Sequence, residues 1–218
     1  MQSLTDRWAA DARGALDGVD DAALAAVGRD LVARWDEPHR HYHDSTHLAE
    51  VIAAVDELCK ALRVRGRERS VALLAAWFHD AVYSPVTGAD NERASARYAV
   101  ECLATLGADD VLVDDVATVV LDTAAHEVDA RHAAPARVLL HDADLWVLSA
   151  PTPRFDEYCV QVRAEYAHVT TADYAAGRSA VLRPFLVRPH VYATPHARRT
   201  WEPAARENLA RELSRLAA

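Results

Sequence analysis

Eleven histidines are spread unevenly along this chain of 218 residues. His39, His41, His43 and His47 crowd one stretch, His79 is followed by Asp80, and His141-Asp142 is followed after Ala143 by Asp144. Imidazole and carboxylate together suit divalent first-row metals. In Trp77-Phe78-His79-Asp80 two such groups close an apolar segment, where an ionised Asp is costly unless a cation offsets it. Taken alone, the dipeptide equally suits a core histidine beside an acid that emerges at a helix terminus. Its company favours a site: His47 precedes it in His43-Asp44-Ser45-Thr46-His47, and Asp144 follows it in Leu140-His141-Asp142-Ala143-Asp144-Leu145.

Other chemistries lack their signals. The seven glycines never fall into a Walker or dinucleotide-binding pattern, so any phosphate must be gripped by something other than a glycine-rich loop. No serine has the spacing of a nucleophile elbow, and no Cys-x-x-Cys pair exists. Lys60 is the only lysine, which argues against Schiff-base chemistry.

The elements that must position these groups read as helices. Leu24, Val27, Leu31 and Trp35 recur at helical spacing from Asp20 to Trp35, with Asp20 or Asp21 placed to cap the first turn. His47 to Leu62 repeats the pattern, and Asp44 or Ser45 can accept from the free amides at its start. Arg67 to Val82 is apolar nearly all round, which predicts a helix in the middle of a bundle that ends near Ser84-Pro85. Further helices are expected over about Asn91 to Leu106, Asp110 to His126, Ala136 to Leu148, Arg154 to Tyr166, Ala172 to Leu186 and Trp201 to Leu216. Strand alternation is absent. Breaks at Gly88, Gly107, Pro135, Pro151-Thr152-Pro153 and Pro195 read as loops between helices.

Length points to one domain, and a 51% hydrophobic composition with only nine prolines and seven glycines argues against disorder. No apolar run approaches the roughly 20 residues needed to cross a bilayer, and Met1 to Asp17 lacks the pattern of a signal peptide, so a cytoplasmic protein is expected. Cys59, Cys102 and Cys159 each fall in an apolar helical pattern and are expected to be buried free thiols. A net charge of −9 disfavours nucleic-acid polymers and anionic membranes, while small phosphates held by local arginines and a metal remain compatible. Monomer and homodimer both stay open.

The order His47, then His79-Asp80, then Asp144 resembles the defining order of the HD-domain superfamily of metal-dependent phosphohydrolases. More closely, Tyr42-His43-Asp44-Ser45-Thr46-His47, Phe78-His79-Asp80-Ala81-Val82-Tyr83, Asp90-Asn91-Glu92 with Ser95-Ala96, and Asp142-Ala143-Asp144-Leu145 look like a bacterial subgroup of HD hydrolases. The similarity continues through Arg163-Ala164-Glu165-Tyr166, Gly177-Arg178, Arg188 with Tyr192 and Thr194, and Glu202 with Arg206, Asn208 and Leu209, so that it spans roughly residues 35 to 216. It implies an all-α HD-type helical bundle, with the metal-site core over about residues 40–150 and a C-terminal helical extension over about 151–218.

What the resemblance implies for chemistry is cleavage of a small phosphate ester or nucleotide by water held on a divalent ion, with Mn, Fe, Mg, Co, Ni and Zn all compatible with the ligands. Carried over by position, His47, His79, Asp80 and Asp144 are the metal ligands, and Asp142 is the fallback for Asp144. Asp80 also orients or deprotonates the water. Glu92 is the candidate general acid or water-positioning group, and Arg163, Arg178 and Arg188 are candidates for gripping phosphate. His126 is a candidate ligand for a second ion, against a plain role at a helix C-terminus. His43, four residues before His47, is an additional ligand, a donor behind one, or a substrate contact. Two other readings stand beside the hydrolase: a di-iron HD-type oxygenase, which needs more histidine ligands, and a non-catalytic nucleotide-binding or regulatory module.

Overall fold

The structure, a computed structural model, describes residues 3–86, 90–125 and 127–218. In chain order the helices are α1 (Leu4–Arg13), α2 (Asp21–Trp35), α3 (Ser45–Leu62), α4 (Arg67–Phe78), α5 (Asn91–Thr105), α6 (Asp110–Asp122) and α7 (Pro135–Asp144). A 3₁₀ turn over Leu145–Ser149 leads into α8 (Thr152–Glu165), α9 (Thr171–Val187), α10 (Pro195–Thr200) and α11 (Glu202–Leu216). No strand occurs among the described residues, so the expected all-α fold is what forms. No helix among them is long and apolar enough to cross a membrane.

Helix starts follow the capping residues in the sequence. Asp20 accepts from Ala23 N at 2.8 Å, Asp44 from Thr46 N at 2.8 Å and His47 N at 3.1 Å, and Asp109 from Leu112 N at 2.8 Å. Each such cap stabilises its helix by about 1 kcal/mol. Pro135 and Pro195 sit in the first turns of α7 and α10, where a missing N–H costs nothing because no intrahelical acceptor waits for it.

Val71 to Phe78 are all buried, as an all-round apolar helix requires. Helix α4 packs against α1, α3, α5, α6 and α7, and α3 packs against α7 in turn. The three helices that bear the candidate ligands therefore touch one another pairwise. One cluster of buried side chains runs from Trp8 to Leu209 and takes in the C-terminal helices, where α9 packs on α11 and α11 and α8 on the 3₁₀ turn. Cys59, Cys102 and Cys159 are buried and unpaired with one another.

Four expectations need correction. Helix α4 stops at Phe78, not Val82, because carbonyls that the next N–H groups would need are taken: His79 Nδ1 donates to Ala76 O at 2.8 Å and Trp35 Nε1 to Trp77 O at 3.1 Å, while the buried Arg40 guanidinium holds the chain beyond through Asp80 O at 2.8 Å and Ala81 O at 3.1 Å. Helix α6 ends at Asp122, where Thr123 Oγ1 turns back on Val120 O at 2.8 Å and Arg137 grips the Asp122 carboxylate; His126 lies outside the described residues. The segment expected to run helical to Leu148 tightens to a 3₁₀ turn after Asp144. Finally, α1 and α10 form where no helix was expected. Ser3 caps α1, accepting from Asp6 N at 3.1 Å, and Thr194 caps α10, accepting from Ala197 N at 3.1 Å.

Candidate metal centre

The ends of α3, α4 and α7 bring together four residues from three distant segments. His47 Nε2 lies 3.1 Å from His79 Nε2 and 3.4 Å from Asp144 Oδ1, and His79 Nε2 lies 3.5 Å from both Asp80 Oδ2 and Asp144 Oδ1. Donor atoms bound at about 2.1 Å to one ion stand about 3.0–3.4 Å apart for octahedral to tetrahedral angles. The four observed spacings, 3.1–3.5 Å, lie within or just above that range. His47, His79 and Asp80 each offer an atom within 4.8 Å of the others, so this group can hold a metal ion. Both imidazoles are almost fully buried, at 2% and 1% exposure.

Each ligand is aimed by its surroundings. His79 Nδ1 donates to Ala76 O at 2.8 Å, which fixes the tautomer whose Nε2 lone pair faces the cluster. The Trp35 ring backs His79 at 5.4 Å and His47 at 6.2 Å, and Trp35 is itself anchored by Nε1 donating to Trp77 O at 3.1 Å. Asp80 lies beyond the end of α4, on backbone pinned by Arg40, and this early helix end turns its side chain toward the histidines. Burial pushes the Asp144 carboxyl up, but the hydrogen bonds and charges of His47 and His79 outweigh it and hold Asp144 well below the usual carboxylate range. Burial likewise opposes charge on His79, yet Asp80 and Asp144 raise it to about 9, while burial together with His79 lowers His47. Positive charge is favoured at the point where the four side chains meet.

Sequence reasoning gave no role to the group that organises the approach to this cluster. The buried Glu165 carboxylate at the end of α8 accepts backbone N–H bonds from His41 at 3.0 Å, Tyr42 at 2.8 Å and His43 at 3.0 Å through Oε1. Its Oε2 accepts from His43 Nδ1 at 2.7 Å and Tyr83 Oη at 2.8 Å. His43 stacks on Tyr83 at 4.2 Å, and its Nε2 is left 3.9 Å from Asp80 Oδ2. Of the three roles open to His43, this geometry fits a group behind Asp80 on the pocket wall. Five donors on one carboxylate leave no signature in the sequence, because they come from segments more than eighty residues away.

A cavity of about 560 Å³ opens from the cluster and is lined by Asp80, Asp144, His43, Glu92 and Arg178 among others. Glu92, in the first turn of α5, thus faces the same space as the candidate ligands. Of the three arginines proposed for phosphate, only Arg178 does. Arg163 ties off the turn after α8, donating to Tyr166 O at 2.6 Å and Val169 O at 3.1 Å. Arg188 donates to Val191 O at 2.7 Å and lines a separate hollow with His190 and Arg198. Asp142 faces away from the cluster. Its two oxygens accept from Ala193 N and Thr194 N at 2.7 Å each, and Oδ1 also from His141 Nδ1 at 2.9 Å, so the fallback ligand is a buried staple for the chain entering α10.

No protein family, curated protein or solved structure matches the chain.

Proposed function

We propose that this chain is a metal-dependent hydrolase that cleaves a small phosphate ester, organised on the HD-type plan its motifs resemble. The observation that carries the reading is the convergence of His47, Asp80 and Asp144 on His79 Nε2, which lies 3.1–3.5 Å from a donor atom of each, beside a cavity lined by Asp80, Asp144 and Arg178. A divalent ion held there supplies charge neutralisation at the phosphoryl group and lowers the pKa of bound water toward about 7.

The chain's own groups then divide the remaining work. His47 and His79 are the buried ligands, and Asp144 joins them from the cavity side. Asp80, more open to the cavity than the histidines, orients the attacking water and accepts its proton. Arg178 offsets charge on the ester, and Glu92, which lines the same cavity, returns a proton to the leaving oxygen.

Elemental analysis of the wild type and of Asp80→Ala, followed by phosphate release from a panel of monoesters and nucleotides with Mn or Mg, tests this. Metal in the wild type, its loss in the variant and phosphate release only by the former are the expected results. Equal metal in both overturns the ligand set. Bound metal with no release from any ester overturns the hydrolase reading.

A further inference from the structure

The cavity reaches well past the metal cluster, and its far walls are apolar. Leu148, Val162, Val169, Leu182 and Phe185 line it, with the rings of Tyr158 and Tyr174. Among the described lining residues Arg178 is the only arginine or lysine, against the carboxylates Asp80, Glu92, Asp144 and Asp173.

Arg178 is held without an acidic partner. Its Nη2 donates to Tyr158 Oη, its guanidinium lies 4.9 Å from the Tyr158 ring centre, and no carboxylate pairs with it among the described residues. Its Nε is buried with no hydrogen-bond partner, and one helical turn earlier the Tyr174 hydroxyl is in the same state. Two buried polar atoms left open side by side on α9, next to an unpaired guanidinium, call for an acceptor from outside the chain. Contiguous rings join this point to the metal cluster: Tyr158 lies 4.5 Å from Tyr42, and Tyr42 lies 4.7 Å from His47.

We infer that the substrate is a phosphomonoester of an apolar or aromatic alcohol, its phosphate shared between the metal cluster and Arg178 and its organic body laid against Val162, Leu182, Phe185 and the tyrosine rings. This rests on the hydrolase reading and narrows it. A sugar phosphate would strip its hydroxyls of water against Leu, Val and Phe with few partners in return. A polyphosphate chain would meet one arginine and several carboxylates, where its charge needs more cations than the wall supplies. A monoester with a water-avoiding body satisfies both constraints.

The test is calorimetric titration of the Mn-loaded protein with non-hydrolysable phosphonates, which reads binding independently of turnover. Phenylphosphonate and hexylphosphonate are expected to bind at least about tenfold more tightly than 2-hydroxyethylphosphonate, since each buried methylene or its aromatic equivalent adds to affinity. Val162→Thr, which keeps shape but adds a hydroxyl, is expected to narrow that preference. Arg178→Gln is expected to weaken all three ligands, with Arg178→Lys restoring part of the loss and circular dichroism showing both variants folded. Equal affinity for apolar and hydroxylated phosphonates, no binding of any of them, or unchanged affinity in Arg178→Gln overturns the inference. Tight apolar phosphonate binding with no hydrolysis of the matching phosphates would sink the hydrolase reading instead, and hydrolysis without apolar preference would do the reverse.

Discussion

Glu165 shows how much one side chain can organise. Burial alone would push its carboxyl up, but the hydrogen bond and charge of His43 and the N–H groups of His43 and Tyr42 hold it well below the usual 4.5. A folded-state pKa below the unfolded one means stability that is present above about pH 4.5 and is lost as pH falls toward the folded value. Glu165→Gln keeps the shape and removes the charge, leaving an amide nitrogen where Oε2 accepted from His43 and Tyr83. It is expected to cost about 2 kcal/mol near neutral pH. Denaturant unfolding at several pH values checks both parts: the gap between wild type and variant should be largest above pH 4.5 and should close in acid, and a gap independent of pH would remove the carboxylate's charge from the account. By contrast His47, His79, Asp80 and Asp144 were legible as candidates before any fold was known, because metal ligands must be a few residue types and their order is retained in the chain. Glu165 was visible only as one position in a matching segment. Its role comes from burial and from donors across the molecule. Arg163, Arg178 and Arg188 were equivalent in sequence for the same reason, and only their partners separate them: backbone carbonyls occupy Arg163 and Arg188, while Arg178 faces the cavity.

At the scale of elements, periodicity located the amphipathic helices within a few residues, and the misreadings share a cause. Helix α4 keeps an apolar pattern through Val82, yet its end is set by His79 Nδ1 and by Trp35, a residue outside it, which take the carbonyls of Ala76 and Trp77. The short α10 depends on Thr194 as its cap and on the Asp142 staple, neither of which a local window contains. Helix α1 was passed over because charged residues interrupt its apolar face, but its Trp8 is 1% exposed and donates to Leu24 O at 3.0 Å. Its contact with α2 is made possible by Gly28. A Cβ added there would stand 2.5 Å from Trp8 Cδ1, and the indole is held by its hydrogen bond. Gly28→Ala gains about 1 kcal/mol of helix propensity and loses about 1–3 kcal/mol to overpacking. The expected net result is a destabilised protein whose near-ultraviolet Trp signal shifts, measured by thermal unfolding and circular dichroism. A more stable Gly28→Ala variant would show that α1 packs less closely on α2 than the structure has it.

Across the whole molecule, the candidate ligands come from the ends of three helices that form one core, so the cluster exists only when α3, α4 and α7 are docked together. An ion that binds the folded chain and not the unfolded one stabilises it by about 2.7 kcal/mol at a hundredfold excess over Kd. For a chain of this size each kcal/mol moves Tm by about 2–4 °C, so chelator treatment is expected to lower Tm by about 5–10 °C and added Mn to restore it. A chain with a net charge of −9 also gains from any divalent cation that gathers at its surface, and that effect must be separated from the site. Asp144→Asn separates them. It removes one of 33 acidic residues and barely alters the overall field, but it turns the carboxylate whose Oδ1 lies 3.4 Å from His47 and 3.5 Å from His79 into a neutral amide, a far weaker ligand for a divalent ion. The variant should therefore show the same Tm with and without chelator, while the wild type shows the shift. If both respond equally, the stabilisation comes from the surface charge of the molecule, and the convergence of the three helix ends has another purpose.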